Sequence, residues 1–292
     1  MSLTIVVPAY NEEQNLSTVI PLLKAFAAEH AFKIIMVNDG SKDASKTLLD
    51  GFADEHILSV IHHKINKGYG GAIKTGIAAV TTQYLITVDA DGQHRTEDIL
   101  ALYNTIMETD ADMIVGGRFN QKNAGVLRGI GKGLIRMFVR LMIKVPIYDI
   151  NSGMKIYRTE LAQKFIRLAP DTMAFSDIMT ITFVYFGCQV MEVPIKINKR
   201  LAGKSTISYK TAMDTIKEIV FIATVFAPYK FFSFLSLLVL SATMLWGVPF
   251  ILAGKGFTSG TVSGILVAFL LWCLGVIAHL ISGIRKDLIL NR

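Results

Sequence analysis

YLITVDADGQHRTEDIL, residues Tyr84 to Leu100, is a strand-forming apolar run that stops abruptly in two carboxylates, Asp89 and Asp91, followed by Gly92, Gln93 and His94. Asp and Gly end strands in turns because they tolerate turn backbones and hydrogen-bond to them. Two carboxylates leaving one strand together also form a site for a hard divalent cation such as Mg²⁺ or Mn²⁺. The surrounding sequence has to separate the two readings.

Upstream and downstream the same rhythm repeats. LTIVVP is followed by a helix from Asn11, KIIMVND by a helix near Ala44, ILSVIHH by a helix near Tyr69, YLITVD by a helix near Thr96, and then DMIVGG. Alternation of this kind predicts an α/β fold, a mostly parallel sheet with helices on both faces. In the first helix Asn11 is the expected N-cap with Gln14 three residues on. Leu16, Val19, Ile20, Leu23 and Phe26 form one face, and Pro21 predicts a kink. Ligands of open α/β sheets sit at the carboxyl ends of strands. Those ends here read PAYNEE, NDGSKD, NKGYGG and DADGQH. Further on, NSGMKIYRTELAQKF predicts a strand then a helix, SDIMTITFVYFGCQ a helix, and VMEVPIKI an edge strand interrupted by Pro194.

Charged residues make up 18% of the 292 residues, against about a quarter in an ordinary soluble domain, and mean hydropathy is +0.45. The excess is local: 231–254 and 256–284 carry no charged side chain, with Lys255 between them. Each run exceeds the roughly 20 residues that cross a bilayer. Arg285, Lys286 and Arg292 follow the second run, so the C-terminus is expected on the cytoplasmic side of an inner membrane, together with the body of the chain. The N-terminus lacks the basic start and small-residue cleavage site of a secretory signal. The expected organisation is a large α/β domain over 1–210, an amphipathic juxtamembrane helix over 211–229, and spans over 230–254 and 259–284. Between strand and spans, 125–146 reads as a basic, glycine-punctuated loop leading into a surface helix. A net charge of +7 fits an anionic leaflet as well as an anionic ligand.

Several simpler readings fail on spacing. NKGYGGAIKTG lacks the Gly-Lys-Ser/Thr of a Walker loop and has Ile73 where a dinucleotide fingerprint needs its third glycine. It remains either a phosphate-facing loop or a tight turn. His62 and His63 read as a solvated or hydrogen-bonded pair because no third metal ligand stands at a sensible spacing. Cys188 and Cys273, the only cysteines, offer neither a disulfide framework nor a cysteine metal site.

In combination and in order, VVPAYNEE, VNDGSKD, NKGYGGAIKTG and VDADGQH resemble the family 2 glycosyltransferases of GT-A fold, over roughly residues 3 to 205. INSGMKIYR, VMEVPIKINKRLAGKS and the terminal pair of spans resemble most closely the polyprenyl-phosphate branch. That branch holds the dolichol-phosphate mannose synthases and the bacterial enzymes that load glucose or aminoarabinose onto undecaprenyl phosphate. The resemblance implies a GT-A domain that binds nucleotide through Pro8, Ala9, Tyr10, Glu12, Asp39, Lys67, Asp89 and Ala90. It implies Mg²⁺ or Mn²⁺ held by Asp89 and Asp91 with Gln93 as a further contact, and a catalytic set of Asp91, Asp149, Arg128 and Arg200. One departure is Asn38, where the usual second motif has Asp.

The chemistry that follows is an inverting transfer of one hexose-type sugar from a UDP- or GDP-sugar to polyprenyl phosphate. An already ionised acceptor needs a cationic seat more than a base, and Arg118, Arg128, Lys132, Arg200 and Lys204 are its candidates. Asp149 and Asp177 are candidates to orient the acceptor or a basic residue, with a helix cap the alternative for each; by resemblance Asp149 ranks first. The implied partners are the nucleotide sugar, the lipid phosphate and the membrane, with no nucleic acid and with self-association left open. Two alternatives are a processive polysaccharide synthase and a non-catalytic nucleotide-sugar-binding scaffold. The synthase is disfavoured because neither Trp246 nor Trp272 follows an Arg in a Gln-x-x-Arg-Trp element.

Overall fold

The computed structural model describes residues 2–54, 56–118, 146–198 and 220–290. The chain divides into two compact units, one built from 1–123 with 145–207 and the other from 124–144 with 208–292.

The first unit is a seven-stranded sheet in the order β3-β2-β1-β4-β6-β5-β7. Its strands are β1 (Leu3–Ala9), β2 (Lys33–Asn38), β3 (Leu58–His62), β4 (Tyr84–Thr87), β5 (Met113–Gly117), β6 (Lys155–Arg158) and β7 (Val190–Pro194). The helices α1 (Glu13–Glu29), α2 (Ser45–Phe52), α3 (Tyr69–Ala79), α4 (Thr96–Thr109), α5 (Thr159–Phe165) and α6 (Phe175–Tyr185) alternate with them. All seven residues of β1 are buried, as a strand covered on both faces requires. Leu16, Val19, Ile20 and Leu23 of α1 join the core with Ile34, Met36, Ile86 and Ile114. Each such side chain contributes about 1.5–3 kcal/mol by leaving water. β7 lies at the edge as expected, half-buried and ending at Pro194.

Two details differ from the sequence reading. α1 begins at Glu13 rather than at Asn11, and runs unbroken through Pro21 to Glu29. Asn11 has φ +54° and ties two loops together. Its N–H donates to Ser41 Oγ (3.0 Å) while its Oδ1 accepts from Lys42 N–H (2.8 Å). The first donors of α1 are met from across the α1–α2 junction instead: Glu12 N–H by Ser45 Oγ (2.9 Å) and Glu13 N–H by Asp43 Oδ2 (3.2 Å).

The second difference is direction. β6 runs antiparallel to both neighbours, with Thr87 opposite Lys155 and Val115 also opposite Lys155. The residues that precede β6, 149–154, therefore arrive at the carboxyl ends of β4 and β5. The winding also reverses between β1 and β4, so the switch-point crevice of an open α/β sheet opens between their tips.

In the second unit, 220–226 is helical and two long apolar helices follow, α7 (Pro228–Leu252) and α8 (Ser259–Leu290). Both are long and apolar enough to cross a membrane. They pack as an antiparallel pair along a seam of small residues. An added Cβ at Gly264 would strike Thr243 Oγ1, one at Gly247 would lie 2.5 Å from Thr261 Oγ1, and one at Gly275 would lie 2.8 Å from Phe232 Cβ. Ser236 Oγ donates to Ala268 O (2.7 Å) across the same seam. Close backbone approach of this kind drives helix association in lipid. Gly264→Leu is expected to cost about 1–3 kcal/mol by overpacking and to lower the melting temperature of the detergent-solubilised protein. Gly283→Leu, at a position where an added Cβ meets nothing within 4 Å, is expected to leave it unchanged. Equal melting of both variants and wild type would refute the seam.

Candidate active site

The carboxyl ends of β1, β2, β3, β4 and β5 place Tyr10, Asp39, His63, Asp89 and Arg118 along one edge of the sheet. The reversed β6 adds the 149–153 turn to them. Tyr10 is exposed and Ala9 is buried behind it.

Asp89 is held from three sides. Tyr69, the first residue of α3, donates its hydroxyl to Asp89 Oδ1 (2.9 Å). Burial, and then the Asp89 charge, push the Tyr69 phenol well above its usual pKa, so it stays a neutral donor. The Asp89 N–H donates to His94 Nδ1 (3.1 Å), which fixes that ring nitrogen as the unprotonated one. On the third side stands Gly153, where an added Cβ would lie 2.5 Å from Asp89 Oδ2. The absence of a side chain at 153 is what admits the carboxylate. Asp91 Oδ1 accepts from Gln93 N–H (3.1 Å). Gln93 reaches towards Asn198 O (3.5 Å), and His94 bridges to Ile197.

This donor set suits a hard cation. Magnesium and manganese are commonly held by one or two protein carboxylates, with phosphate oxygens and water completing the shell. The Gly153 cradle and the two neighbouring carboxylates fit that pattern. No group of three or more His, Cys, Asp or Glu forms an all-protein cage among the described residues.

The glycine-rich loop turns its backbone inward. Lys67 N–H and Gly68 N–H donate to Asp39 Oδ1 (2.8 Å) and Oδ2 (2.9 Å), and His63 Nδ1 binds the same Oδ1 at 2.7 Å. Asp39 is buried, so in this geometry it organises the loop. The glycines are there for close approach. Gly68 has φ +89° and its added Cβ would lie 2.5 Å from Asp171 O, while one at Gly70 would strike Pro170 O. Lys67 itself is exposed. His62 and His63 are a hydrogen-bonded pair, the reading the spacing favoured. His62 Nε2 meets Asp50 Oδ1 (2.8 Å), and its Nδ1 faces Asn38 Nδ2 (3.0 Å). Asn38 Oδ1 accepts Ser41 N–H (3.1 Å), which fixes the amide's orientation. The Asn38 departure thus has its own partners inside the protein.

Arg118 and Asp149 form a fork: Nε to Oδ2 (2.6 Å), Nη2 to Oδ1 (2.9 Å), with Nη2 also reaching Asn151 O (2.9 Å). The Asp149 backbone is held as well, its N–H on Glu192 Oε1 (2.9 Å) and the Tyr148 N–H on Glu192 Oε2 (2.6 Å). Burial alone would raise the Asp149 carboxyl, but the Arg118 hydrogen bonds and charge outweigh it and hold it below the usual carboxylate range. Arg118, offered by the sequence as an acceptor-phosphate ligand, spends two donor nitrogens on Asp149 and Asn151. Asp177 is buried in the first turn of α6. Arg128, Lys132, Arg200 and Lys204 lie outside the described residues, as does the basic 125–145 segment.

A depressed folded-state pKa means that the Arg118–Asp149 pair stabilises the protein above the unfolded carboxylate pKa of about 3.9 and loses that contribution as pH falls through the lower folded value. Arg118→Ala is expected to cost about 2–3 kcal/mol, below the cost of breaking a fully buried pair because Arg118 is part-exposed. It should also flatten the melting temperature's dependence on pH below about 4. Unaltered acid dependence would show that the pair does not hold.

Three residues that shape this site escaped the sequence reading: Tyr69, Gly153 and Glu192. Glu192 did leave a trace, as a charge in the middle of the apolar strand run VMEVP.

Residues 4–166 match the family model described as glycosyl transferase family 2. The chain belongs to glycosyl transferase family 2. Among relatives of this family 2 transferase, an uncharacterised protein of Methanocaldococcus jannaschii is 32% identical over 66% of this chain and 79% of its own length. Polyprenol monophosphomannose synthase of Mycolicibacterium smegmatis is 28% identical over 70% of this chain and 80% of its own. Undecaprenyl-phosphate 4-deoxy-4-formamido-L-arabinose transferase of Yersinia pestis is 27% identical over 85% and 73%. In fold, the family 2 domain is similar to glucosyl-3-phosphoglycerate synthase of Mycobacterium tuberculosis, whose structure holds Mn²⁺, UDP-glucose and phosphoglyceric acid. The TM-score is 0.59 at 14% identity, over 76% of this chain and 79% of that one. The GT-A architecture expected from the sequence is the one observed, and the protein is a glycosyltransferase.

Proposed function

We propose that this glycosyltransferase moves a single hexose-type sugar, with inversion, from a UDP- or GDP-sugar to polyprenyl phosphate at the cytoplasmic face of a membrane, with Mg²⁺ or Mn²⁺. The observation that carries the donor half is the Asp89–Asp91 pair at the β1/β4 switch point, with Asp89 seated by Tyr69 and Gly153. The acceptor half is supported by the names of two relatives, the polyprenol monophosphomannose synthase and the undecaprenyl-phosphate 4-deoxy-4-formamido-L-arabinose transferase. The apolar α7–α8 pair supports it further, since it would tether the catalytic unit to the membrane that dissolves such a lipid.

Asp89 and Asp91, with Gln93 beside them, would hold the cation, which when bound supplies Lewis-acid stabilisation of the charge growing on the leaving diphosphate. The residues of the chain do the rest. The neutral Tyr69 hydroxyl keeps Asp89 aimed. An acceptor phosphate oxygen attacks the anomeric carbon as the bond from that carbon to the donor's diphosphate oxygen breaks, and the nucleoside diphosphate leaves with the electron pair. The phosphate nucleophile is already ionised near neutral pH, so the chain need supply no strong base. The Arg118–Asp149 fork gives a fixed edge to the acceptor side, and Arg128, Lys132, Arg200 and Lys204 are the cations proposed to meet the lipid phosphate.

The donor half is tested by melting the solubilised protein with UDP, GDP and their sugars, with and without Mn²⁺. A ligand at 100 times its Kd stabilises by about 2.7 kcal/mol. One nucleotide family should raise the melting temperature only together with the metal. No shift with any member of the panel would count against the proposal.

A further inference from the structure

Lys155 is the most deeply buried cation among the described residues, with no accessible surface at all. Its Nζ sits among Ile150 O (2.7 Å), Ser176 O (2.5 Å), Ser176 Oγ (2.7 Å) and Thr180 Oγ1 (2.8 Å). Ser176 Oγ gives its own proton to Ser152 O (2.5 Å). Thus two carbonyls of the 149–153 turn are tied to α6, that of 150 through the ammonium and that of 152 through the Ser176 hydroxyl which the ammonium itself holds. The residues flanking this clamp are Asp149, forked to Arg118, and Gly153, the cradle of Asp89.

Stability alone does not ask for a lysine here. Taking an ammonium out of water costs several kcal/mol that an apolar side chain of the same volume avoids. The positive end of α6 also opposes a cation at its first turn. The charges of Asp177, Asp149 and Glu192 favour the ammonium, and that of Arg118 opposes it. Burial pulls the lysine down to about 7. The contacts work the other way and favour the ammonium: Ile150 O and Ser176 O can only accept, and Ser176 Oγ has already donated. A neutral amine would have only two N–H bonds for these three, with the Thr180 hydroxyl, which reaches Ser176 O (3.2 Å) and Ile150 O (3.4 Å), as the other donor in reach.

Resting on the sugar-transfer reading above, we infer that Lys155 is a positioning residue for that reaction: its ammonium clamps the 149–153 turn to α6 and so sets Asp149 and the Gly153 cradle against the β4 tip. The clamp acts through backbone carbonyls, so Lys155 need touch neither substrate.

The test compares wild type with Lys155→Met and Lys155→Arg in detergent or nanodiscs. It measures melting, hydrogen exchange of the 147–154 backbone, and kcat and KM for the nucleotide sugar with undecaprenyl phosphate as acceptor. For folded Lys155→Met, exchange over 147–154 should rise while that of β1–β3 stays put. Its kcat should fall roughly 10- to 100-fold, the scale of a misplacement of about an ångström, and Lys155→Arg should recover part of both. Wild-type kcat in folded Lys155→Met, or a lost kcat with unchanged 147–154 exchange, overturns the inference. If Lys155→Met does not fold, Ser176→Ala with Thr180→Val removes the two side-chain anchors on α6, and the Ser176 hydroxyl's bond to Ser152 O, while keeping the lysine and its contact with Ser176 O. Faster 147–154 exchange with reduced kcat then supports the clamp, and wild-type values of either overturn it. If wild type itself makes no lipid-linked sugar, the sugar-transfer reading fails, and the exchange measurements still decide whether the clamp exists.

Discussion

Gly153→Ala is expected to abolish most of the sugar transfer while leaving a folded protein. The new methyl carbon would lie 2.5 Å from Asp89 Oδ2 and 3.2 Å from its Cγ, well inside contact distance. The backbone has little room to retreat, because Thr87 Oγ1 donates to Gly153 O at 2.7 Å. The carboxylate must therefore swing away, giving up the Tyr69 hydroxyl. A displacement near one ångström at a reacting centre costs about 100-fold, whereas overpacking at one position costs the fold about 1–3 kcal/mol. The Mn²⁺ concentration needed for half-maximal rate should rise in parallel, since the cradle acts on the proposed metal ligand. Wild-type kcat/KM and metal dependence in Gly153→Ala would show that Asp89 is not the group the cradle serves.

Asp91→Asn is the second large effect. The amide oxygen can still accept from Gln93 N–H, the bond Asp91 makes at 3.1 Å, so that bond of the turn is kept while the charge is lost. Removing one preorganised electrostatic contact of this kind costs roughly 100- to 1,000-fold in kcat. The melting temperature without ligand should stay close to wild type, and the nucleotide-plus-Mn²⁺ stabilisation should vanish. Retained activity in Asp91→Asn would remove the metal from the mechanism.

The strands and helices up to β5 were legible because each apolar run ends in turn residues and each helix repeats its apolar face, patterns that local physics enforces. Direction is not local. Nothing in GMKIYR says that β6 runs backwards, and that reversal is what delivers Asp149 and Gly153 to the β4 tip. The start of α1 was displaced for the same reason, since Asp43 and Ser45 at the start of α2 supply acceptors that Asn11 was expected to provide. The carboxylate pair was visible because two acids closing an apolar strand are rare enough to notice. Asp39 was also visible, but its burial under the glycine loop was not: its partners, Lys67 N–H and Gly68 N–H, are backbone groups that carry no side-chain signature. Lys155 and Glu192 showed as charges inside apolar runs, yet their purpose lies in carbonyls and amides brought near by the fold.

The most direct measurement is mass spectrometry of the organic phase after metal-stripped, purified protein is given undecaprenyl phosphate and a panel of UDP- and GDP-sugars, with and without added Mn²⁺. The expected result is one sugar added to the lipid phosphate by one donor family, only when metal is present, and not by Asp91→Asn. Lipid-linked sugar formed equally well without metal, or none formed from any donor while wild type is folded, would contradict the account.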